Sequence, residues 1–600
     1  MVEEASVHSS DWPYERAPLA SLCGPGWRQI VDACEPSIVL AALGHSGGQG
    51  TSHWSQREMW APSAVPEVAS REVPKVMEQR DIDAVVQGFA EAAALAMASG
   101  CHGVEINAGQ NSLIRQFLSG LTNMRSDSFG SNRSLFLHDV LTAVRDAIGE
   151  SAVLALRLSV EELAPWAGIV PDAGAAIAAE AGRWIDLLTV VRGSIYSVAL
   201  TRPDGHAEPG FAIGLARQVR TAMRAAGHER VPVFAQGSIV EWRQAEWVLN
   251  DGAADGVEMT RAQLADADMV TKLRSGSADR IRPCILCNQL CKVRDNRNPV
   301  VSCVMDPRTG HEHADAPEPL ASATIERALT IVGAGVAGLE TARIASLRGF
   351  TVTVVDRDSL VGGVLRHAAR GAGRQRLALA VEWLYGECLR LGVTFRLGVS
   401  VDNADLERMG NEGLVVLATG GTSGILPFVV ESAADVRHGV DVLALDDPPT
   451  TLPGGPVVVW DPIGGPLALS VAELLAADPT RRAAGVTLVT PDLLVGEKLS
   501  LTGDLAPAQI RLHGLGVVLV KQALVRRVSD GKIEAEDRFS GAMQVIDATV
   551  FIACGHRLPD LRLDPDETLP QVGDRVAPRT IHEAILEGRR VAMALPTRTS

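Results

Sequence analysis

The sequence lacks any uninterrupted apolar run of about 18 residues, the length that a membrane-spanning helix needs. The N-terminal stretch MVEEASVHSS is acidic and has no apolar segment typical of an export signal. Basic residues are in the minority, since 56 Lys and Arg against 72 Asp and Glu give a net charge of -16. We therefore expect neither a membrane nor a nucleic acid as the main partner.

Cysteine is scarce, with nine residues in a chain of 600. Five of them, Cys23, Cys34, Cys101, Cys388 and Cys554, are scattered along the sequence without signs of pairing. This distribution favours a reducing cytoplasm. The length exceeds what one hydrophobic core supports, so two to four domains are expected.

The other four cysteines are clustered with the spacing C-x2-C-x3-C-x11-C, as Cys284, Cys287, Cys291 and Cys303. Three thiolates within eight residues can cover one face of a cuboidal cluster, and the fourth can close it from the returning loop. The spacing predicts a [4Fe–4S] cluster. The alternative is a structural zinc, which usually takes two separated C-x2-C pairs.

The part of the chain before the cysteines alternates strand-like runs with Ala-rich helical patterns. This alternation predicts a parallel sheet of the TIM (β/α)8-barrel type over residues 1–275, followed by a cluster loop and linker over 276–325. Six strands are clear: Ile38–Leu43, Gly103–Ile106, Ala152–Leu158, Ile185–Val191, Val231–Ala235 and Gly256–Met259. A remnant of another lies at Met1–Val7, so the first strand of the barrel is expected to be missing.

A second pattern begins at ALTIVGAGVAGLETARIASLRGFTVTVVDRD, which reads as strand, glycine turn, helix, strand and acid. Gly333 makes the tight turn, Gly335 lets the backbone approach a pyrophosphate, and Gly338 lets the helix pack on the strand. Asp356 follows the next strand, where a carboxylate can bind ribose hydroxyls. The pattern predicts a Rossmann-like dinucleotide-binding fold.

Two later segments favour FAD at this turn. LVVLATGG (414–421) and the VGD that contains Asp574 stand where flavoproteins with two dinucleotide-binding folds close over the flavin. We expect FAD-binding parts at 326–450 and 549–600, with an NAD(P)H-binding-like domain at 451–548 between them. In that domain Gly464 and Gly465 form the candidate nicotinamide turn, because a Gly-Gly pair allows close backbone approach.

The chain resembles the 2,4-dienoyl-CoA reductase and trimethylamine dehydrogenase group of old-yellow-enzyme-like iron–sulfur flavoproteins. The resemblance covers nearly the whole sequence, including APSAVPEVASREVPK, GVEINAGQNSLIRQFLSGLTNMRSDSFG, LALRLSVEEL and the cysteine loop. The opening VEEASVHSSDWPYERAPL is similar to a mycofactocin-associated subgroup. The resemblance implies FMN in the barrel, a [4Fe–4S] cluster beside it and a C-terminal module that binds FAD.

The resemblance also implies site residues in the barrel. Arg157 and Arg261 stand where the family has flavin-binding arginines, and Gly237 fits a phosphate turn. His45, Asn107 and Gln110 are the candidate catalytic residues that face the substrate. Trp166 and Tyr196, as isolated aromatic residues, are expected to serve packing.

Three departures from the family pattern affect what can be expected of the barrel. The usual E-I-H-x-A-H-x-Y-L reads EINAGQNSL, so that Ser112 replaces the tyrosine acid. The usual Q-L-x-H-x-G-R reads ALGHSGG from Ala42, without the glutamine and the arginine. The P-M-x-T motif of the first strand has no counterpart, so that we expect either a barrel without its first strand, in which FMN binding is impaired, or a true start of translation before Met1.

These features predict an oxidoreductase that moves electrons between NAD(P)H, FAD, the cluster and FMN. Its expected substrate is a small molecule with an activated C=C bond, such as an enoate or enoyl thioester. One alternative is an amine dehydrogenase or N-demethylase that passes electrons to a protein acceptor. Another is an electron-transfer subunit without FMN. The sequence is compatible with a homo-oligomer.

Overall fold

The computed structural model describes residues 4–14, 17–53, 55–292, 300–315 and 327–596. The chain divides into two compact units. The first consists of the described residues of Met1–Pro203 and Ala207–Thr260, and the second of Asp204–His206, Arg261–Lys292 and the described residues of Val300–Ser600. The predicted linker falls partly on 293–299 and 316–326, and the predicted remnant strand partly on residues 1–3, all of which lie outside the described residues.

The first unit is built on a parallel sheet of seven strands in the order β1-β2-β5-β6-β7-β8-β9, with β3 and β4 paired separately. The strands are β1 Ala5–Ser6, β2 Leu40–Gly44, β3 Trp60–Ala61, β4 Lys75–Val76, β5 Gly103–Ala108, β6 Val153–Ser159, β7 Leu187–Val191, β8 Val233–Ala235 and β9 Gly256–Val257. All six predicted strands are present, and β1 lies within the predicted remnant. The sheet is a TIM-type barrel sheet with seven strands in the described residues.

Helices follow the strands of this unit in β/α alternation. They are α1 Gly24–Cys34, α2 Gln79–Ala98, α3 Leu113–Leu118, α4 Ser128–Ser131, α5 Leu135–Ile148, α6 Pro171–Ala181, α7 Val198–Thr201, α8 Ile213–Ala225 and α9 Trp242–Asn250. Helix α2 shows why such a segment forms: Ile82, Val85, Phe89 and Ala93 recur at helical spacing and are all buried, which places one apolar face on the core. A capping box between Glu78 and Asp81 starts the helix.

The second unit contains four sheets, with strand orders β12-β11-β10-β13, β14-β24, β15-β20-β21-β22 and β16-β23-β17-β18-β19. The strands are β10 Ala328–Val332, β11 Thr351–Asp356, β12 Thr394–Leu397, β13 Leu414–Leu417, β14 Gly421–Ser423, β15 Val429–Val430, β16 Val436–His438, β17 Val457–Trp460, β18 Val486–Val489, β19 Val518–Val520, β20 Ala523–Ser529, β21 Lys532–Asp537, β22 Met543–Asp547, β23 Val550–Ala553 and β24 Arg557–Pro559.

The remaining helices complete two Rossmann-like folds in this unit. They are α10 Thr260–Ala265, α11 Met269–Arg274, α12 Val336–Leu347, α13 Gly363–Ala368, α14 Ala378–Arg390, α15 Asn403–Glu412, α16 Gly439–Ala444, α17 Pro448–Thr451, α18 Pro466–Ala477, α19 Pro479–Ala484, α20 Leu505–Gly514 and α21 Ile581–Ala594. Among the helices that the structure describes, none is both long and apolar enough to cross a membrane.

The sheet that contains β17 extends on both sides of the predicted NAD(P)H-binding-like domain. Strands β16 and β23 belong to it, because β23 pairs with both β16 and β17. The first compact unit ends at Thr260, since the chain from Arg261 joins the second unit. The predicted bounds of the domains themselves stay predictions.

Candidate redox sites

The four clustered cysteines line one cavity in the second unit, with an empty volume of about 320 Å³. Leu286 and Asn288 adopt left-handed backbone conformations, with φ of 50° and 51°, and so turn the loop around Cys287. The other lining side chains include Leu264, Ile285 and Met305, which make the cavity largely apolar. The sequence spacing therefore folds into one common pocket for the thiols.

Backbone N–H groups reach three of these sulfur atoms. The donors are Leu286 to Cys284, Gln289 to Cys287 and Met305 to Cys303, each two residues further along the chain. Burial raises the pKa of all three thiols, to about 12 for Cys303, and the N–H groups act in the opposite direction. Such donors stabilise thiolates and tune the potential of iron–sulfur clusters, so the donor set fits one.

Within the described residues, three metal-ligating atoms lie within 4.8 Å of one another only at Asp204, His206 and Asp504. A tetrahedral zinc with four thiolates needs sulfur atoms about 3.8 Å apart, given its usual bond length. The four thiols are therefore not arranged as a closed tetrahedral zinc site, and the [4Fe–4S] cluster stays a prediction.

Arg261 lies at the cysteine pocket. Its Nη1 donates to Asn288 Oδ1 at 2.7 Å, and its charge opposes the rise in the pKa of Cys284 that burial causes. Arg261 begins the part of the chain that joins the second unit, and its role as a barrel flavin ligand stays a prediction.

The Asp204–His206–Asp504 group is an ion-pair network. Arg374 and Arg511 neutralise its carboxylates, with Arg374 Nη1 3.1 Å from Asp204 Oδ2 and Arg511 Nη1 2.9 Å from Asp504 Oδ1. Two fixed guanidinium groups leave little reason for a cation to bind there.

The first glycine turn has the geometry that a dinucleotide needs. A Cβ on Gly333 would meet Ala418 O at 2.1 Å and one on Gly338 would meet Gly333 O at 2.0 Å, so both must be glycine. A Cβ on Gly335 would meet no protein atom within 4 Å, which leaves open space at the N-cap of α12 for a phosphate. Asp356 Oδ2 accepts the Ala334 N–H at 2.5 Å and so closes the turn.

The two later segments that the sequence associates with FAD contact this turn. Val572 N donates to Leu417 O at 3.0 Å, and a Cβ on Gly573 would approach Ala337 Cβ at 2.7 Å. Burial raises the pKa of Asp574, and the nearby Arg557 opposes that rise. These contacts join the segments around the N-terminus of α12, while the ligand roles of Asp356 and Asp574 stay predictions.

The candidate nicotinamide turn at Gly464 and Gly465 differs from the first glycine turn. Asp461 Oδ1 accepts the N–H groups of Ile463 and Gly464 at 3.2 and 2.9 Å, and Pro466 begins α18 without an N–H. A buried carboxylate thus occupies donors that a diphosphate would use. The residues present do not fit a nicotinamide diphosphate at this turn.

Asp461 gives a testable pH dependence. Burial, with a contribution from Asp492, raises its pKa to about 6 from 3.8. Because the pKa of this carboxyl is raised in the folded protein, the free energy of unfolding falls as the pH rises from 3.8 through 6. We expect Asp461→Asn to remove this loss, so that the variant gains up to about 3 kcal/mol relative to the native chain between pH 4 and pH 8. Thermal unfolding midpoints across this range measure it, and parallel profiles would contradict it.

At the barrel mouth, Arg157 is held between two carboxylates. Its Nε lies 2.9 Å from Glu105 Oε1 and its Nη1 2.8 Å from Glu258 Oε2. Asn107 donates through Nδ2 to Glu4, and burial raises the pKa of Glu4 to about 7. A fixed arginine near the carboxyl end of β6 fits a flavin ring. No sequence motif predicts Glu4 at this place.

The other predicted site residues of the barrel, His45, Gln110 and Gly237, lie in different surroundings. His45 is buried and bonds Ser10 Oγ through Nε2 at 3.0 Å, and its substrate-facing role stays a prediction. Gln110 Nε2 donates to Arg192 O at 3.1 Å. Gly237 has φ of 128° and a Cβ there would meet Ala212 N at 2.9 Å, which requires glycine whether or not a phosphate binds.

Ser112 has a structural role. It is buried, and its Oγ accepts the Arg115 N–H at 3.1 Å as the N-cap of α3. It is therefore engaged in the start of a helix at the place where the family has a tyrosine acid. Tyr196, expected to serve packing, lines a cavity of the first unit with Gln49 and Glu67. This cavity was not predictable from the sequence, because no motif marks the polar side chains that become buried around it.

Comparisons with known proteins agree with this architecture. Residues 25–280 match the NADH:flavin oxidoreductase / NADH oxidase family, and residues 331–388 match an NAD(P)-binding Rossmann-like domain. The chain is 32% identical over 494 residues to the probable N-methylproline demethylase of Rhizobium meliloti (strain 1021), covering 78% of this chain and 68% of that protein.

It is also 28% identical over 604 residues to the multifunctional alkene reductase/demethylase OYE of Caballeronia cordobensis, covering 93% and 84% of the two chains. The structure of histamine dehydrogenase from Rhizobium sp. 4-9 superposes with a TM-score of 0.89 at 22% identity, covering 99% of this chain and 90% of that one. At this identity the structural match shows the fold.

Proposed function

Because this chain belongs to the NADH:flavin oxidoreductase / NADH oxidase family of flavin-dependent oxidoreductases, we propose that it oxidises a small N-methylated amine. Membership in the family implies FMN, a nicotinamide nucleotide and a small-molecule substrate. In this proposal an amine is the substrate, in place of the compound with an activated C=C bond that the sequence analysis favoured.

The observation that carries this proposal is the role of Ser112. Reduction of an activated C=C bond needs a proton donor for the α-carbon, and Ser112 stands in place of the family's tyrosine. Its hydroxyl is buried and already accepts the Arg115 N–H. Oxidation of an amine needs no such acid, because the nitrogen lone pair drives loss of hydride from the adjacent carbon.

The reaction balances without further reagents apart from an electron acceptor. The N-methyl carbon loses a hydride, and the resulting iminium ion adds water and releases formaldehyde and the demethylated amine. A flavin bound at the barrel mouth would accept the hydride as two electrons and a proton. Demethylase is the activity that the names of both sequence relatives share.

Further cofactors are part of the proposal. Arg157 and Gly237 would hold FMN, the four clustered cysteines a [4Fe–4S] cluster, and the first glycine turn with Asp356 and Asp574 would hold FAD. The cluster would supply single-electron transfer between flavins. The poor fit of Asp461 to a diphosphate supports an electron acceptor that does not use the turn at Gly464 and Gly465, such as a protein. A cytoplasmic location and a homo-oligomer stay predictions.

Anaerobic titration tests the proposal. We expect sarcosine, N,N-dimethylglycine or N-methylproline to bleach the flavin absorbance of the air-protected holoenzyme, with about one formaldehyde released per two electrons. Enones and enoyl thioesters should not accelerate NADH or NADPH oxidation. The opposite pattern would return the function to C=C reduction.

Extraction of the flavins tests the electron-transfer alternative. We expect FMN and FAD in equal amounts after acid release and chromatography. Protein with FAD and iron but without FMN would show that the barrel is not a redox site, and the amine proposal would then fail.

A further inference from the structure

A small cavity opens among the segments that follow β2, β5 and β7 of the first unit. Its empty volume is about 260 Å³, and its lining includes Gln49, Glu67, Gln116 and Tyr196. In a parallel barrel the segments after the strands gather at the carboxyl-terminal face, where substrates bind. The cavity therefore lies on the catalytic face of the barrel.

Two side chains in this cavity have polar atoms without a protein partner. Gln49 is 5% exposed, and in the described residues neither Nε2 nor Oε1 makes a hydrogen bond. Glu67 is 2% exposed, and its Oε1 is likewise unpaired. A buried polar atom without a partner costs free energy, so such atoms around one cavity indicate a polar ligand.

The other oxygen of Glu67 is fully used. Glu67 Oε2 accepts the Tyr14 hydroxyl at 2.7 Å and the N–H groups of Ala69 and Ser70, both at 2.6 Å. These bonds fix the carboxylate while leaving Oε1 to the cavity. Among the residues that the structure describes, no Lys, Arg or His forms an ion pair with Glu67.

Tyr196 supplies an aromatic surface beside this carboxylate. Burial raises the pKa of its hydroxyl, Arg115 opposes the rise, and Glu162 and to a smaller extent Glu67 add to it. A carboxylate that has no counter-ion among the described residues and lies beside an aromatic ring attracts a cation through both its charge and the ring's π-face.

We propose that Glu67, Gln49 and Tyr196 form the binding site for an alkylammonium group, with Glu67 Oε1 as its counter-ion. Gln49 pairs with a polar group next to the nitrogen, such as a carboxylate or an amide N–H. The assignment deepens the proposed amine oxidation, on which its role as a substrate site rests: a protonated substrate amine would pass its N–H proton to Glu67 Oε1, which frees the nitrogen lone pair for hydride loss. Glu67 and Gln49 then determine specificity for cationic substrates.

Calorimetry with tetramethylammonium tests this assignment apart from turnover. This ion cannot be oxidised by hydride loss because its nitrogen has no lone pair. We expect tetramethylammonium to bind the holoenzyme. We expect tert-butanol, an uncharged molecule of similar size, not to bind it. Glu67→Gln keeps one oxygen for the three donors and removes the charge, so the affinity for tetramethylammonium should fall at least tenfold.

Glu72→Gln is the matched control. Glu72 lies in the same loop and accepts the Ser52 N–H at 3.0 Å, outside the cavity lining. This variant should bind tetramethylammonium as the native protein does. Absence of binding to the native protein, or equal losses in both variants, would overturn the site. Tetramethylammonium binding that depends on Glu67, together with no bleaching by amines, would keep the cation site and reject the proposed oxidation.

Discussion

Serine in place of Cys287 is expected to remove the cluster and with it steady-state turnover. The alkoxide of serine is a harder and far more basic ligand than a thiolate, and its hydroxyl stays protonated in the same apolar pocket. We expect iron and sulfide to fall at least tenfold and amine-dependent reduction of an external acceptor to fall at least a hundredfold. Bleaching of the barrel flavin by one equivalent of amine should remain, because that step precedes electron exit.

Cys388→Ser provides the matched control. Cys388 is also buried in the second unit, and its thiol donates to Leu339 O at 3.3 Å, a bond that a serine hydroxyl retains. Iron, sulfide and turnover should be unchanged in this variant. Native protein that contains zinc in place of iron and sulfide would contradict the cluster itself, whatever the variants do.

The sequence predicts the strands of the barrel well because each is a short β-branched run with strong local signals. It predicts the glycine turn equally well, since the roles of Gly333 and Gly338 depend on backbone approaches within one strand–turn–helix unit. The pairing of distant segments is different. Strand β16 joins β23 across more than a hundred residues, and no local pattern in either run encodes that contact.

The roles of individual polar side chains are the least predictable part. His45 matches a family motif, yet Ser10 and Asp11 enclose it in a buried network. Arg261 follows the last barrel strand, yet it bonds the cysteine loop. Asp461 and Glu67 carry no motif, and their importance follows from burial without full hydrogen bonding, which depends on the folded surroundings.

Gly335→Ala separates binding of a dinucleotide from folding. The backbone of Gly335 has φ of -72° and ψ of 178°, which alanine adopts freely, and the added Cβ would meet no protein atom within 4 Å. The methyl group would instead occupy the space where a pyrophosphate approaches the N-terminus of α12. We expect the FAD content of purified protein to fall at least tenfold, while the unfolding midpoint of the FAD-free protein stays within about 2 °C of that of native apoprotein, as for a surface substitution.

Gly386→Ala, where alanine also meets no atom within 4 Å, should leave both quantities unchanged. Full FAD content in Gly335→Ala would mean that the phosphates bind elsewhere, because nothing in the protein's own packing opposes the methyl group.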